Sequence, residues 1–266
     1  MTHTMTIRDL AGTEFWNAVW TVRAPRRLNR RNFYHDRYAR TFARLVKPTS
    51  RILEAGCGGS IWLPYLAGVL GAETWGIDYS EVGVEVAKAN MRARKARGRI
   101  ILDDLFTTTA LPAASFDLVF SFGLVEHFDD PVGVATRLGT FLAPGGRMLT
   151  SVPNLFGGVG LLHRVADPLV YRAHLRLDPA QLDAIHVRAG LAVLEPAAYF
   201  GVFSLGVANF ERVRRRLPRF LDRILWYGIR ATQQIVLVPF RTLHWYPESS
   251  VFSPYIQGLY VKPGAP

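Results

Sequence analysis

The chain has 266 residues, 49% of them hydrophobic, which suits one sizeable α/β core with embellishments better than two independent ones. A single cysteine, Cys57, excludes an intramolecular disulfide, and no run reaches the roughly 18 apolar residues that span a bilayer. The net charge of +11 is uneven, at +7 over residues 1–50, −2 over 51–155, zero over 156–204, +5 over 205–250 and +1 in the tail, so two basic blocks point to an anionic partner or surface.

The first fifteen residues lack an apolar stretch of signal-peptide length, so the chain is expected in the cytoplasm, with a peripheral membrane contact as the alternative. From about residue 13 to 47 helical spacing recurs twice, through Phe15, Trp16, Val19 and Trp20 and again through Phe33, Tyr34, Tyr38, Phe42 and Leu45. Pro25 and a basic run separate the two helices, and Pro48 ends the second. Strands are expected at Arg51–Ala55, Glu73–Asp78, Arg99–Asp103, Phe116–Phe122 and Arg147–Val152. Helices are expected between them, over Ile61–Leu70, from a Ser80 cap to about Ala96, and from Asp130 and Pro131 onward, with a turn at Ala143–Gly146. Strands alternating with helices at this spacing imply a parallel, doubly wound sheet. Beyond Asn154 the pattern is sparser: a helix over Pro179–Ala189, a strand within Leu191–Phe203, a basic and aromatic insertion over about 205–250, and a last strand over Phe252–Lys262. No linker divides the chain, so one domain is expected over 1–266, with a helical cap (1–50), a core (51–155) and acceptor-side elements (156–266).

The chemistry is carried by Leu53–Gly59, a glycine cluster directly after a strand and before a helix. Its glycines permit the turn and let backbone approach a ligand closely. The dinucleotide fingerprint would need a third glycine where Ile61 stands, and no Gly-Lys-Ser/Thr follows, which excludes a P-loop. Asp78, twenty residues beyond Gly58, ends the second strand, where a carboxylate can accept both hydroxyls of a ribose. Asp103 and Asp104 end the third strand, where an acid or its neighbouring amide can meet an adenine.

With these residues in order, the chain resembles the class I S-adenosylmethionine-dependent methyltransferases of small-molecule type. The resemblance runs through Glu54–Gly58, Gly76–Ser80, Asp103–Leu105, Ser115–Val119, Glu126–His127 and Leu142–Gly146, about 100 residues in all. It implies a Rossmann-like, seven-stranded, mostly parallel sheet with helices on both faces, and S-adenosyl-L-methionine as cofactor. By resemblance, Glu54 orients the methionine amino group, Gly56 and Gly58 let backbone wrap the methionyl and ribose moieties, and Asp78 binds the ribose hydroxyls. Tyr79 packs on the adenine, Asp104 with the amide of Leu105 faces its amino group, and Ser121–Gly123 line the floor beneath the sulfonium. Methyl transfer needs mainly alignment and desolvation, with a base where the acceptor is a hydroxyl or carbon acid. His127, after the fourth strand, is the first candidate for that base and Glu126 the second.

Ubiquinone-type O-methyltransferases of this superfamily hold a divalent cation with a Glu-x-x-Glu-His cluster. The first position here is Gly123, so no metal is expected, and His163, His174 and His186 are read as surface or core histidines. The two basic blocks also hold Trp16, Trp20, Phe33, Tyr34, Trp226, Tyr227, Trp245 and Tyr246, which suggests a lid over an acceptor that is partly apolar and partly anionic, with Arg26, Arg27, Arg214 and Arg215 as its charges. A second reading makes Val207–Arg230 an interfacial segment that presents the site to a lipid-borne acceptor, although Pro218 breaks it as one helix. Nucleic acid is disfavoured, because Ser121–Leu124 stand where an Asn-Pro-Pro-Tyr signature would. A non-catalytic partner protein on the same fold is the alternative from another class, and intact Glu54, glycines and Asp78 weigh against it.

Overall fold

The structure is a computed structural model that describes residues 7–20, 26–166, 168–202, 217–243 and 245–264. Seven strands form one sheet in the order β3-β2-β1-β4-β5-β7-β6. They are β1 (Arg51–Ala55), β2 (Glu73–Asp78), β3 (Arg99–Leu102), β4 (Phe116–Phe122), β5 (Leu142–Pro153), β6 (Ala192–Phe200) and β7 (Tyr255–Val261). The first five run parallel, while β7 lies antiparallel between β5 and β6.

Alternation along the strands explains why both faces must be covered. Ile52, Leu118, Phe120 and Leu149 join one apolar cluster, while their neighbours Leu53, Ala55, Val119 and Met148 join the other. On the first face lie α2 (Phe33–Leu45), whose Tyr34, Tyr38 and Phe42 recur every four residues, and α3 (Trp62–Gly68). On the second lie α5 (Pro131–Phe141) and α8 (Pro179–Arg188). Side-chain caps set the starts of these elements. Asn32 accepts from the amides of Tyr34 and His35, Ser80 caps α4 (Glu81–Ala93) through Gly83, and Asp130 caps α5 through Gly133. Asp178 and Gln181 close a reciprocal capping box on α8.

Departures from the sequence reading have local causes. The expected turn over 143–146 is absorbed into β5, which begins at Leu142 and shifts register against β4 between Phe116 and Leu118. Two helices stand where the pattern was sparse, α6 (Gly158–Ala166) and α7 (Pro168–Arg172). The first turn of α6 packs so tightly on the preceding loop that a methyl at Gly160 would meet the Leu155 carbonyl oxygen at 1.8 Å. Glycines chosen for close approach mask the helical pattern there. In the insertion, α9 (Arg219–Leu243) begins just after Pro218, where a break was expected, and the earlier half of the segment read from Val207, with Arg214 and Arg215, lies outside the described residues. A short N-terminal helix, α1 (Thr13–Val19), completes the set.

Candidate functional site

Strand order reverses between β1 and β4, and open α/β sheets bind ligands beyond the carboxyl ends of strands at such a point. A cavity of about 960 Å³ lies there. Its floor is built by Gly56 after β1, Asp78 and Tyr79 after β2, Asp103–Phe106 after β3, and Phe122–Leu124 with Glu126–Phe128 after β4.

Gly56 sits at φ +72° and Gly59 at +62°, conformations that side chains rarely adopt. The Asp78 carboxylate is locked by backbone, with Gly58 N donating to Oδ2 at 2.7 Å and Ser80 N to Oδ1 at 2.8 Å. Each carboxylate oxygen keeps a second lone pair for a ligand. Burial holds this carboxyl above its ordinary value, against the pull of the Ser80, Gly58 and Tyr79 amides. The loop after β3 is fixed from α5, where Arg137 donates to the carbonyls of Leu105 and Thr108 at 2.8 and 2.9 Å. Tyr79, Leu105, Phe106 and Phe128 give this end of the cavity its apolar walls.

The N-terminal segment closes over that end. Leu10 N donates to the His127 carbonyl and Asp129 N to that of Arg8, so residues 8–10 run beside 127–129. Asp9 accepts from the Tyr79 hydroxyl and, at 3.2 Å, from Trp16 Nε1. Asn17 meets the Ser80 hydroxyl, and the Trp20 indole lies against Gly58, Gly59 and Gly83. Asp9 carried no sequence motif, and only this pairing reveals its part.

Tyr38, Trp62, Phe122, Ser151 and Tyr255 line the other end, roofed by Trp226, Ile229 and Gln233 of α9. The Tyr38 and Ser151 hydroxyls are 2.7 Å apart. Between the two ends stand Glu126 and His127, on a single 3₁₀ turn (Val125–His127). His127 Nδ1 is 3.1 Å from the Ala173 carbonyl oxygen, which pairs only with the Nδ1–H tautomer and leaves the Nε2 lone pair free. Burial, helped by the charge of His174, holds this imidazole down at about 3, and burial pushes the Glu126 carboxyl up to about 8. Their 3.9 Å approach is therefore a contact of neutral groups rather than an ion pair.

The expected site residues divide into two groups. Gly56, Asp78, Tyr79, Asp104, Leu105, Glu126 and His127 converge on the cavity wall. Glu54, Gly58 and Ser121 stand behind it. Glu54 is fully buried and accepts from the Ser60 hydroxyl, and burial pushes its carboxyl up to about 8, with the Ser60 bond pulling down and Asp78 adding to the rise. Ser121 Oγ is buried without a hydrogen-bond partner among the described residues. Among the described residues, the expected arginine lid contributes one guanidinium to the cavity, Arg26, which reaches the Gly59 carbonyl at 3.3 Å. Arg30 and Arg40 instead pair with Asp36, Arg37 with Glu248, and Arg44 with Glu195, which holds much of the first basic block in the fold's own ion pairs.

Residues 26–195 match a family model described as a methyltransferase domain. A ubiquinone biosynthesis O-methyltransferase of Mesorhizobium japonicum is 33% identical over 151 residues, 53% of this chain and 59% of that protein. One of Thiobacillus denitrificans is 33% identical over 156 residues, 54% of this chain and 66% of that protein. The chain thus spans about three fifths to two thirds of the length of these curated relatives. Among solved structures, a phosphoethanolamine N-methyltransferase 2 of Haemonchus contortus in complex with S-adenosyl-L-methionine is 18% identical, with a TM-score of 0.59 over 86% of this chain and 52% of that one. At that identity the likeness is one of fold.

Proposed function

Because the chain belongs to the methyltransferase domain family, we propose that it transfers a methyl group from S-adenosylmethionine to a hydroxyl of a flat, largely apolar small molecule. The observation that carries the reading is one cavity with two unlike ends. The first end offers what the cofactor needs: backbone at Gly56 without an intervening Cβ, a carboxylate fixed by two amides, and apolar walls before Asp104. A methyl at Gly56 would press on Leu124 Cδ1 at 3.2 Å, so the cradle suits glycine. When bound, S-adenosylmethionine supplies a methyl group activated by its sulfonium.

The residues of the chain do the remaining work. Asp78 and Asp104 fix the cofactor's register, and Trp16 and Trp20 exclude water from above. Aromatic side chains at the far end, Tyr38, Phe122 and Trp226, hold the acceptor in line. The hydroxyl proton leaves toward the Glu126–His127 turn. Among the described residues, one cavity-lining guanidinium faces four carboxylates, Asp9, Asp78, Asp103 and Asp104, which favours a neutral acceptor over the anionic one read from overall charge. The relatives named for ubiquinone biosynthesis support oxygen as the methylated atom.

Calorimetry with S-adenosylhomocysteine is expected to show micromolar binding, and radiolabelled methyl is expected to pass to dihydroxyphenyl compounds rather than to their amine analogues. Absence of homocysteine-adduct binding would sink cofactor use and favour a non-catalytic partner protein. Labelling of the amines alone would move the reaction to nitrogen.

A lipid-borne acceptor is the second reading, favoured by α9. Its inner face roofs the cavity, while Phe220, Ile224, Tyr227, Ile235 and Val238 form an outward stripe at helical spacing, 52 to 70% exposed. Exposed Arg219 and Arg223 flank it, a composition suited to the interface of an anionic bilayer. No helix among the described residues is long and apolar enough to cross a membrane. The protein is expected to co-sediment with vesicles containing phosphatidylglycerol, and the double variant Ile224→Glu, Tyr227→Glu to lose at least tenfold in partitioning. Wild-type protein left in the supernatant would end this reading.

A further inference from the structure

Resting on the reading that the acceptor enters beside Glu126 and His127, we infer that these two residues and His174 form a binding site for a divalent first-row transition ion. One donor atom from each lies within 4.8 Å of the others. Glu126 is 1% exposed, and neither of its carboxylate oxygens has a hydrogen-bond partner among the described residues. A buried carboxylate without donors is rare, because the group lost water and gained nothing in exchange. His127 Nε2 stands 3.9 Å from Oε1, too long for a hydrogen bond.

A strap of chain builds the third position. Leu175 N donates to the Glu126 carbonyl at 2.7 Å, and the His127 ring meets the Ala173 carbonyl at 3.1 Å. These two bonds grip residues on either side of His174 and bring its ring to 4.1 Å from that of His127. The Ala173 bond also does what outer-shell partners do in metal sites: it fixes the imidazole tautomer and aims the other nitrogen's lone pair inward. Trp16 packs edge-on against the same ring, at 4.7 Å, and holds its plane.

The donor set is one carboxylate and two imidazoles, borderline ligands that suit zinc, iron, manganese or cobalt better than magnesium or calcium. Ligand atoms around one such ion stand roughly 3.3 Å apart, given bonds of about 2.0 Å. Gly123, which stands where the Glu-x-x-Glu-His pattern has its first carboxylate, lies on the cavity side. A methyl there would stand 3.5 Å from Glu126 Oε1 and meet nothing nearer. The strap therefore supplies from outside the motif the ligand that the motif lacks, and the space at Gly123 leaves a coordination position toward the cavity. An ion there would supply Lewis acidity toward an acceptor hydroxyl. His127 then serves as a ligand through Nε2, the nitrogen left free by the Ala173 bond.

The test uses the full chain, stripped with chelator and titrated with zinc chloride by calorimetry, and with cobalt(II) by visible absorption. One equivalent of zinc at micromolar affinity or tighter is expected, with cobalt absorption bands typical of four or five ligands. His174→Ala and Glu126→Gln are each expected to weaken zinc binding at least tenfold, while S-adenosylhomocysteine affinity of His174→Ala stays within threefold. Substoichiometric zinc, or affinity unchanged in both variants, overturns the site. Should a variant misfold, the wild-type cobalt spectrum decides alone: bands of a six-oxygen environment, or none, overturn it. Failure of zinc binding with homocysteine-adduct binding intact removes only the cation. Loss of the latter in wild type removes the methyl-transfer reading, whatever zinc does.

Discussion

Asp78→Ala is expected to weaken S-adenosylhomocysteine binding at least 100-fold. Asp78 stands at the end of β2 with one lone pair on each oxygen committed to backbone, at Gly58 and Ser80. The remaining lone pairs face the cavity and are the acceptors for two ribose hydroxyls. Hydrogen bonds to an ionised group contribute about 1.5–3 kcal/mol each. Losing two costs roughly 3–6 kcal/mol, and every 1.4 kcal/mol is about tenfold in affinity. The two amides also lose their acceptor, so the glycine loop loosens and the melting temperature is expected to fall by a few degrees. Asp78→Asn separates these contributions. It retains one acceptor oxygen and the shape but not the charge, and its affinity is expected between wild type and Asp78→Ala. Calorimetry on variants with wild-type circular dichroism measures this, and an Asp78→Ala affinity within threefold of wild type would remove the ribose role.

Asp78 was legible in the sequence because the motif that contains it is local. A strand, a glycine turn and an acid at the end of the next strand are read in order, and pairing of β1 with β2 places them together without long-range information. The same holds for Tyr79, Asp104 and Leu105, which end the adjacent strands on the same edge. Residues contributed by chain crossings were opaque. Asp9 reaches Tyr79 across 70 positions of sequence, and the Ala173–Leu175 strap reaches Glu126 and His127 across 46 to 49. Neither segment has a periodicity or a motif: Asp9 acts through one isolated carboxylate, and the strap through backbone groups that any residue offers. His174 reads as a surface or core histidine for that reason. Overall charge is silent on pairing in a related way. Composition counts the arginines of the first block, but four of them pair with Asp36, Glu195 and Glu248 within the fold.

The second large effect concerns the lid that the sequence hinted at through Trp16 and Trp20. Gly58→Ala is expected to reduce cofactor affinity at least tenfold, and Trp20→Ala to restore part of the loss. A methyl at Gly58 would lie 2.5 Å from Trp20 Nε1, 2.7 Å from its Cε2 and 2.9 Å from Asp78 Oδ2. Contacts under 3.0 Å force one neighbour to move. The carboxylate is tied by the Gly58 and Ser80 amides, whereas the indole sits at the end of a short helix whose other ties are to Asp9 and Ser80. The indole should therefore yield first, lifting the lid from Gly58, Gly59 and Gly83 and admitting water above the ribose. Residual pressure on Asp78 then lowers affinity even with the lid displaced. Removing the indole in Trp20→Ala gives the methyl room on one side only, so the double variant should bind better than Gly58→Ala yet worse than Trp20→Ala. That non-additivity is the signature of two residues in contact, and a double-mutant cycle on homocysteine-adduct affinity reads it as a coupling energy of about 0.5–3 kcal/mol. Additive losses would mean that Trp20 does not rest on the glycine loop when the cofactor is bound, and that the N-terminal segment closes the cavity through Asp9 and Tyr79 alone.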